Sequence, residues 1–275
     1  MSVRDFADYL EFACAVAIAA GAAILPHFRQ SIAVDDKGGV DGYDPVTEAD
    51  RNAEAVIRSQ IARAYPDHGI FGEEHGRTPG ASPLTWVIDP IDGTRSFILG
   101  QLHWGTLIAL HDGARPVVGV MHQPFVGETF AASIGGVPQW RRGGESRTLS
   151  TRPCARIEDA IVATTDPRHF DAAEKLRVYR SVTSGARLVR YGGDCYCYTL
   201  LAMGLVDIVI ETGLKPYDVQ ALIPIVEAAG GRMTNWQGGP CDSGGDVLAC
   251  GDRALHATLL RRIGAERIFS DAGDV

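Results

Sequence analysis

Four acidic clusters carry the residue types that could do chemistry: Gly72-Glu73-Glu74, Asp89-Pro90-Ile91-Asp92-Gly93-Thr94, Thr47-Glu48-Ala49-Asp50 and Pro216-Tyr217-Asp218. Each falls where a strand ends or a helix begins, not along a solvated helical face. Two carboxylates separated by Pro-Ile after an apolar strand can converge on one point, because the proline fixes the bend and leaves the Ile91 carbonyl on the same side. Such an all-oxygen cluster suits Mg²⁺ and not zinc. Each cluster taken singly has a plainer use. Asp92-Gly93 would serve as a turn, Asp50 as a capping residue, Glu73 and Glu74 as surface charge, and Asp218 as the N-cap of the helix after it. Those readings lose their economy when all four are required at once.

The elements that must position these groups are written in the apolar pattern. A buried amphipathic helix is expected from Ser2, with Asp5 closing a capping box and Pro26 near its end. The apolar run within it, 12–26, is too short to span a bilayer. Asp5, Asp8 and Glu11 precede that run where a signal peptide would carry positive charge. A second helix is expected over 47–65, since Thr47 and Asp50 have capping-box spacing and Val56, Ile57, Ile61 and Ala64 recur on one face. A strand over 84–88 empties into the Asp89–Gly93 turn, and strands over 104–111, 116–123 and 128–133 form an antiparallel meander. The stretch 135–158, rich in Gly, Arg, Ser and Pro, marks a boundary between an α+β half (1–145) and an α/β half (146–275). In the second half strands are expected over 161–165 and 206–210, and helices over 172–181, 196–203 and 219–229.

Composition narrows the function classes. At 275 residues, 45% hydrophobic and 22% charged, the chain is an ordinary globular one, either one large domain or two halves sharing a site. A net charge of −8 repels a polyanion, so nucleic acid is not expected as a partner, and the ordinary composition and short apolar run argue against a membrane. The six cysteines have no zinc spacing and are sparse for a disulfide scaffold, which fits reduced thiols in a cytoplasmic protein. His103, His111 and His122 read as packed or surface residues, and Arg141-Arg142 as a short solvated loop.

Taken in order, Val46-Thr-Glu-Ala-Asp50, Gly72-Glu-Glu74, Trp86-Val-Ile-Asp-Pro-Ile-Asp-Gly-Thr94 and Tyr217-Asp218 ahead of Glu227-Ala-Ala-Gly-Gly231 resemble the inositol monophosphatase superfamily of Mg²⁺-dependent, lithium-sensitive phosphatases. The resemblance implies a layered αβαβα sugar-phosphatase fold and a homodimer. It places one ion on Glu73, Asp89 and the Ile91 carbonyl, a second on Asp89, Asp92 and Asp218, and a weaker third near Glu73. Gly93 and Thr94 would open a helix whose free N–H groups receive the phosphate oxygens. Asp50 would accept a hydrogen bond from the Thr94 hydroxyl, the pair orienting the attacking water. Two divalent ions about 3.5–4 Å apart can lower the pKa of that water and stabilise the departing oxygen, with no covalent phosphoenzyme. Gathering four or five carboxylates is repulsive without cations, so the metal-free site is expected to be disordered or partly protonated. Lys37, in the Gly-rich loop 36–43, lies near a lysine common in the family, but the loop spacing is altered and Asp44 replaces a common Ser.

Around the phosphate the sequence departs from the inositol-specific pattern, with Arg95-Ser96-Phe97 after Asp-Gly-Thr and Leu214-Lys215-Pro216-Tyr217 before the last ligand. The blocks at 104–110, 122–125 and 191–196 look like the histidinol-phosphatase branch, which hydrolyses L-histidinol phosphate in histidine biosynthesis. Histidinol carries an ammonium and an imidazole, so its pocket should hold acids. Asp194, ahead of a helix, and Glu211, at the end of a strand, are placed for this, with Arg95 beside the phosphate. An inositol pocket would also accept carboxylates, and Asp194 could simply cap its helix. The alternatives are therefore an inositol, sugar or nucleotide monophosphatase, and a non-catalytic scaffold, against which the intact Glu73, Asp89, Asp92, Thr94 and Asp218 count.

Overall fold

A computed structural model of the chain describes residues 3–31, 33–38 and 45–271. Helix α1 (Val3–Ile24) leads through a 3-10 turn (Leu25–His27) to the paired strands β1 (Val34–Asp36) and β2 (Pro45–Thr47), and then to α2 (Glu48–Ala64). Thr47 caps α2 in a reciprocal box with Asp50, as the spacing predicts. Next come β3 (Gly69–Gly72), β4 (Gly76–Thr78), β5 (Thr85–Asp92), the short helix α3 (Thr94–Ile98), β6 (Gly105–His111), β7 (Pro116–Gln123), β8 (Glu128–Ser133), β9 (Gln139–Arg142) and β10 (Glu145–Thr148). These strands form one mixed eight-stranded sheet in the order β10-β9-β8-β7-β6-β5-β3-β4.

The remainder alternates β11 (Ile161–Thr164), α4 (Ala173–Thr183), β12 (Leu188–Tyr191), α5 (Asp194–Ala202), β13 (Ile208–Leu214), α6 (Pro216–Val219), α7 (Leu222–Ala228), β14 (Arg232–Asn235), β15 (Gly245–Cys250) and α8 (Arg253–Asp271). Its five strands lie in the order β12-β11-β13-β15-β14.

Side-chain alternation along the strands stacks these elements into layers. Ile88, Ile108, Val118 and Val120 face α1 and α2, while Val87, Leu107, Ala109 and Met121 face a middle core shared with Leu201 of α5, Ile225 of α7 and Val209 and Val247 of the second sheet. On its far side the second sheet packs Val162, Ile208 and Leu248 against Val178 of α4 and Leu259 of α8. The order is helix, sheet, helix, sheet, helix, the expected αβαβα arrangement.

Several local expectations are corrected. α1 has 22 residues and, by length and composition alone, could cross a membrane, although its apolar run looked too short. Here Leu10, Ala13, Ala17, Ala20 and Ile24 are instead buried in the core it shares with α2 and the first sheet. The stretch around Arg141-Arg142 is not a loop but the β9–β10 hairpin, and Arg141 forks onto Glu11 of α1 at 2.8 Å. Position 145 therefore falls inside the first sheet, and we propose that the halves divide between β10 and β11. β5 does not stop at Ile88. Its pairing with β6 resumes at Asp92 opposite Gly105 after an irregularity, because the ladder continues on the far side of the Pro90 bend. The cap expected at Ser2 with the Asp5 side chain, and residues 39–44 of the Gly-rich loop, lie outside the described residues.

The middle layer depends on a close approach. A Cβ on Gly119 of β7 would sit 2.0 Å from the Ala221 carbonyl oxygen, in the link between α6 and α7. Gly119→Ala is expected to cost at least about 1–3 kcal/mol through overpacking, read as a lower urea midpoint at unchanged slope.

Candidate active site

β5 is buried from Trp86 through Ile91 and delivers Asp89 and Asp92 to the edge of the first sheet. The Thr106 hydroxyl of β6 pins the Pro90 carbonyl at 2.8 Å. Beyond Asp92 the chain turns at Gly93, whose φ of +87° suits glycine, and enters α3. Asp218 arrives from the other half of the chain in the first turn of α6, where its Oδ2 accepts the Lys215 N–H at 2.7 Å. Asp92 is held across the same gap, its Oδ2 accepting the Cys195 N–H of α5 at 2.8 Å. Carboxylate oxygens of Asp89, Asp92 and Asp218 thereby lie within 4.8 Å of one another, in a group that no other set of His, Cys, Asp and Glu matches among the described residues.

Glu73 follows β3 in the turn before β4 and lines the same cleft, whose volume is about 430 Å³. The Lys37 ammonium reaches both Glu73 and Glu74 at 2.9 Å. This contact was not readable from the sequence, because the loop carrying Lys37 has no helical or strand period to place it. Asp89 is fully buried and its Oδ1 has no hydrogen-bond partner. A buried oxygen left orphaned among carboxylates, with only oxygen donors around it, fits a hard divalent cation.

The expected bond between Thr94 and Asp50 is not formed. The Thr94 hydroxyl donates to the Ile91 carbonyl at 3.0 Å, and the Asp50 carboxylate takes the Thr47 N–H and hydroxyl within its own capping box. Local capping geometry wins because Thr47 is three residues away on the same helix end.

Arg95, Asp194 and Glu211 line the same cleft, with Asp194 close to the cluster: a Cβ on Gly93 would lie 3.2 Å from its carboxyl carbon. Asp194 is not the cap of α5, a place taken by Gly193; it opens the helix with φ +43° and accepts the Ser96 hydroxyl at 2.9 Å. Glu211 lies mid-strand in β13 rather than at its end. It is fully buried and accepts the Thr165 N–H at 2.6 Å, the Thr165 hydroxyl at 2.9 Å and the Thr164 hydroxyl at 3.3 Å. Arg95 meets His169 at 3.2 Å. Thr164, Thr165, Ser96 and His169 escaped sequence reading, since only the packing of β11 beside β13 and of α3 beside α5 gives them partners. The six cysteines are all free and buried, and His122 is packed against Thr129.

The inositol monophosphatase family model matches residues 5–267. The chain belongs to the inositol monophosphatase family. It is 39% identical over 260 residues to the bifunctional phosphatase IMPL2, chloroplastic, of Arabidopsis thaliana, covering 90% of this chain and 73% of that one. To a histidinol-phosphatase of Chlorobaculum parvum it is 36% identical, covering 93% and 96%. The solved structure of an inositol monophosphatase from Zymomonas mobilis superposes with a TM-score of 0.83 at 38% identity, covering 96% of this chain and all of that one. As a member of this family the protein is a phosphatase acting on phosphoric monoesters, with an acidic cluster that could hold metal.

Family membership gives the electrostatics of the cleft a purpose. Burial, reinforced by neighbouring carboxylates, holds Asp89 and Asp218 well above the usual carboxylate range. Burial lifts Asp92 to about 7 with help from Asp194, and Glu73 to about 7 against the pull of Lys37. Glu211 rises to about 8, its burial outweighing the Thr165 hydrogen bonds. These groups bind protons when folded that the unfolded chain, titrating near about 4, has already released, so stability falls as pH rises through about 7–8. Below about 6.5 the buried His122 and His256, both pushed down to about 4 chiefly by burial, oppose the trend, because there the unfolded chain binds the extra protons. In EDTA, Tm is therefore expected to drop by several degrees between about pH 6.5 and 8.5, and millimolar Mg²⁺ should flatten that slope. A flat profile in EDTA would mean that the carboxylates do not meet.

Proposed function

We propose that the protein is a Mg²⁺-dependent histidinol-phosphatase, converting L-histidinol phosphate and water to L-histidinol and phosphate. The observation that carries this reading is the pair of acids, half-buried Asp194 and fully buried Glu211, facing the same cleft as the Asp89, Asp92 and Asp218 cluster. Glu73, Asp89, the Ile91 carbonyl, Asp92 and Asp218 would hold two or three ions. Bound Mg²⁺ would supply charge neutralisation, a more acidic water and stabilisation of the leaving oxygen.

The protein's own groups do the rest. The Gly93 and Thr94 amides, at the start of α3, receive phosphate oxygens. The Thr94 hydroxyl, held on the Ile91 carbonyl at 3.0 Å, would orient the attacking water, whereas Asp50, committed to Thr47 in its capping box, is not placed to share that role. Asp194 and Glu211 face the cationic imidazole and ammonium end of the substrate, while Arg95 and His169 close the phosphate side. Carboxylates removed from water recover more from a cation than from a neutral hydroxyl, which is why two acids favour an amino alcohol over a polyol.

A polyol phosphate is the second reading, favoured by the neutral amide and hydroxyl donors that Glu211 already accepts. Six free, buried cysteines support a cytoplasmic setting. Exposed Leu188 and Tyr191 on the edge strand β12 support a homodimer.

Asp89→Asn is expected to abolish turnover, since the residue serves both ions; activity within about tenfold of wild type at saturating Mg²⁺ would remove it from that role. For specificity, wild type is expected to prefer histidinol phosphate over inositol-1-phosphate by at least about 10²-fold in kcat/KM. Glu211→Gln should lower kcat/KM for histidinol phosphate by about 10- to 150-fold and for the inositol ester much less. Equal losses would make Glu211 a general support, and a wild-type preference for inositol phosphate would overturn the histidinol assignment.

A further inference from the structure

Beneath the turn that carries Glu73 sits another carboxylate, one that does not line the cleft. Glu54, four residues after Asp50 on α2, is fully buried. Its Oε2 accepts the Glu74 N–H at 2.7 Å, and its Oε1 accepts the His75 N–H at 3.1 Å and the Arg58 Nε at 2.7 Å. Arg58, four residues further along, donates to the Thr78 hydroxyl at 3.0 Å and to the Gly76 carbonyl. A Cβ on Gly72 would lie 2.1 Å from Glu54 Oε1, so the end of β3 leaves this carboxylate its space. Gly72, Glu74, His75 and Gly76 thus all meet the Glu54–Arg58 pair. Only Glu73 within that run turns away, its carboxylate lining the cleft.

A buried ion pair is a poor way to gain stability, because apolar side chains of the same volume do as well or better. What a carboxylate does and a leucine cannot is grip two successive peptide N–H groups, which fixes the course of the turn. α2 carries Asp50 and Glu54 on one face, four residues apart, so the helix whose N-terminus is locked by the Thr47–Asp50 box also anchors the turn.

We propose that Glu54 is a positioning residue of the metal centre: by holding the Glu74 and His75 amides it aims Glu73 into the cleft it shares with Asp89, where the two would hold an ion together. This rests on the phosphatase reading of the cleft and adds a residue outside it.

The test is Mn²⁺ binding followed by electron paramagnetic resonance of the free ion, alongside Mg²⁺ activation curves and far-UV circular dichroism. Glu54→Gln keeps the volume but replaces one acceptor oxygen with a donor. It is expected to weaken Mn²⁺ binding at least about tenfold and to raise the Mg²⁺ concentration for half-maximal activity in step, while kcat at saturating Mg²⁺ stays within about threefold. A purely structural role would lower Tm and leave the ion affinity of the folded protein unchanged, so affinity within about twofold of wild type overturns the proposal. If Glu54→Gln does not fold, Arg58→Lys keeps both charges but loses the fork to Thr78 and Gly76; the same loss is expected, and unchanged affinity again overturns the idea. Wild type that binds no Mn²⁺ would instead bring down the reading of the cleft itself, and this proposal with it.

Discussion

Mutual repulsion among buried carboxylates at the end of β5 is the constraint on which the rest of the structure depends. Asp89, Asp92 and Asp218 bring oxygens within 4.8 Å of one another, and Glu73 adds its charge to the same cleft. In a low-dielectric setting such charges push apart or take up protons. Holding them together is a task for the backbone, and the layered architecture serves it. β5 is clamped between β3 and β6, and the second half of the chain folds back to lay α5 and α6 against its end.

The donors used for this are mostly peptide N–H groups. Asp92 is held by the Cys195 amide, Asp218 by Lys215, Asp50 by Thr47, Glu211 by Thr165, and Glu54 by Glu74 and His75. An amide carries no net charge and cannot swing away, so it orients one side of a carboxylate without neutralising it. In Asp92 and Asp218 the other oxygen stays available to the cleft. The charged exceptions are Arg58, paired with Glu54, and Lys37, which sets its full charge against Glu73 and Glu74. Lys37 partly offsets the repulsion where the turn is most acidic.

The crowding extends along the cleft. Asp194 presses on both Asp92 and Glu211, while neutral donors from Ser96, Thr164 and Thr165 hold the carboxylates of Asp194 and Glu211 in place. Arg95, in contact with His169, brings positive charge beside α3.

The sequence alone determined the local parts. The capping box at Thr47 and Asp50, the meander from β6 to β8, the bend at Pro90 and the acidic blocks depend on neighbours a few residues apart, so period and residue type suffice to read them. Tertiary structure decided what crosses the chain. Arg141 became a hairpin residue because Glu11 of α1 lies opposite it, and β5 ran on to Asp92 because β6 offers a second stretch of ladder. Glu211 acquired its threonine partners only when β11 settled beside β13. Thr94 turned to Ile91 while Asp50 stayed with Thr47, and Glu54, an unremarked acid on a helix, came to lie under Glu73. Each of these outcomes is a competition between a short-range partner and one brought in by packing, and the winner depends on distances that no spacing of residues encodes.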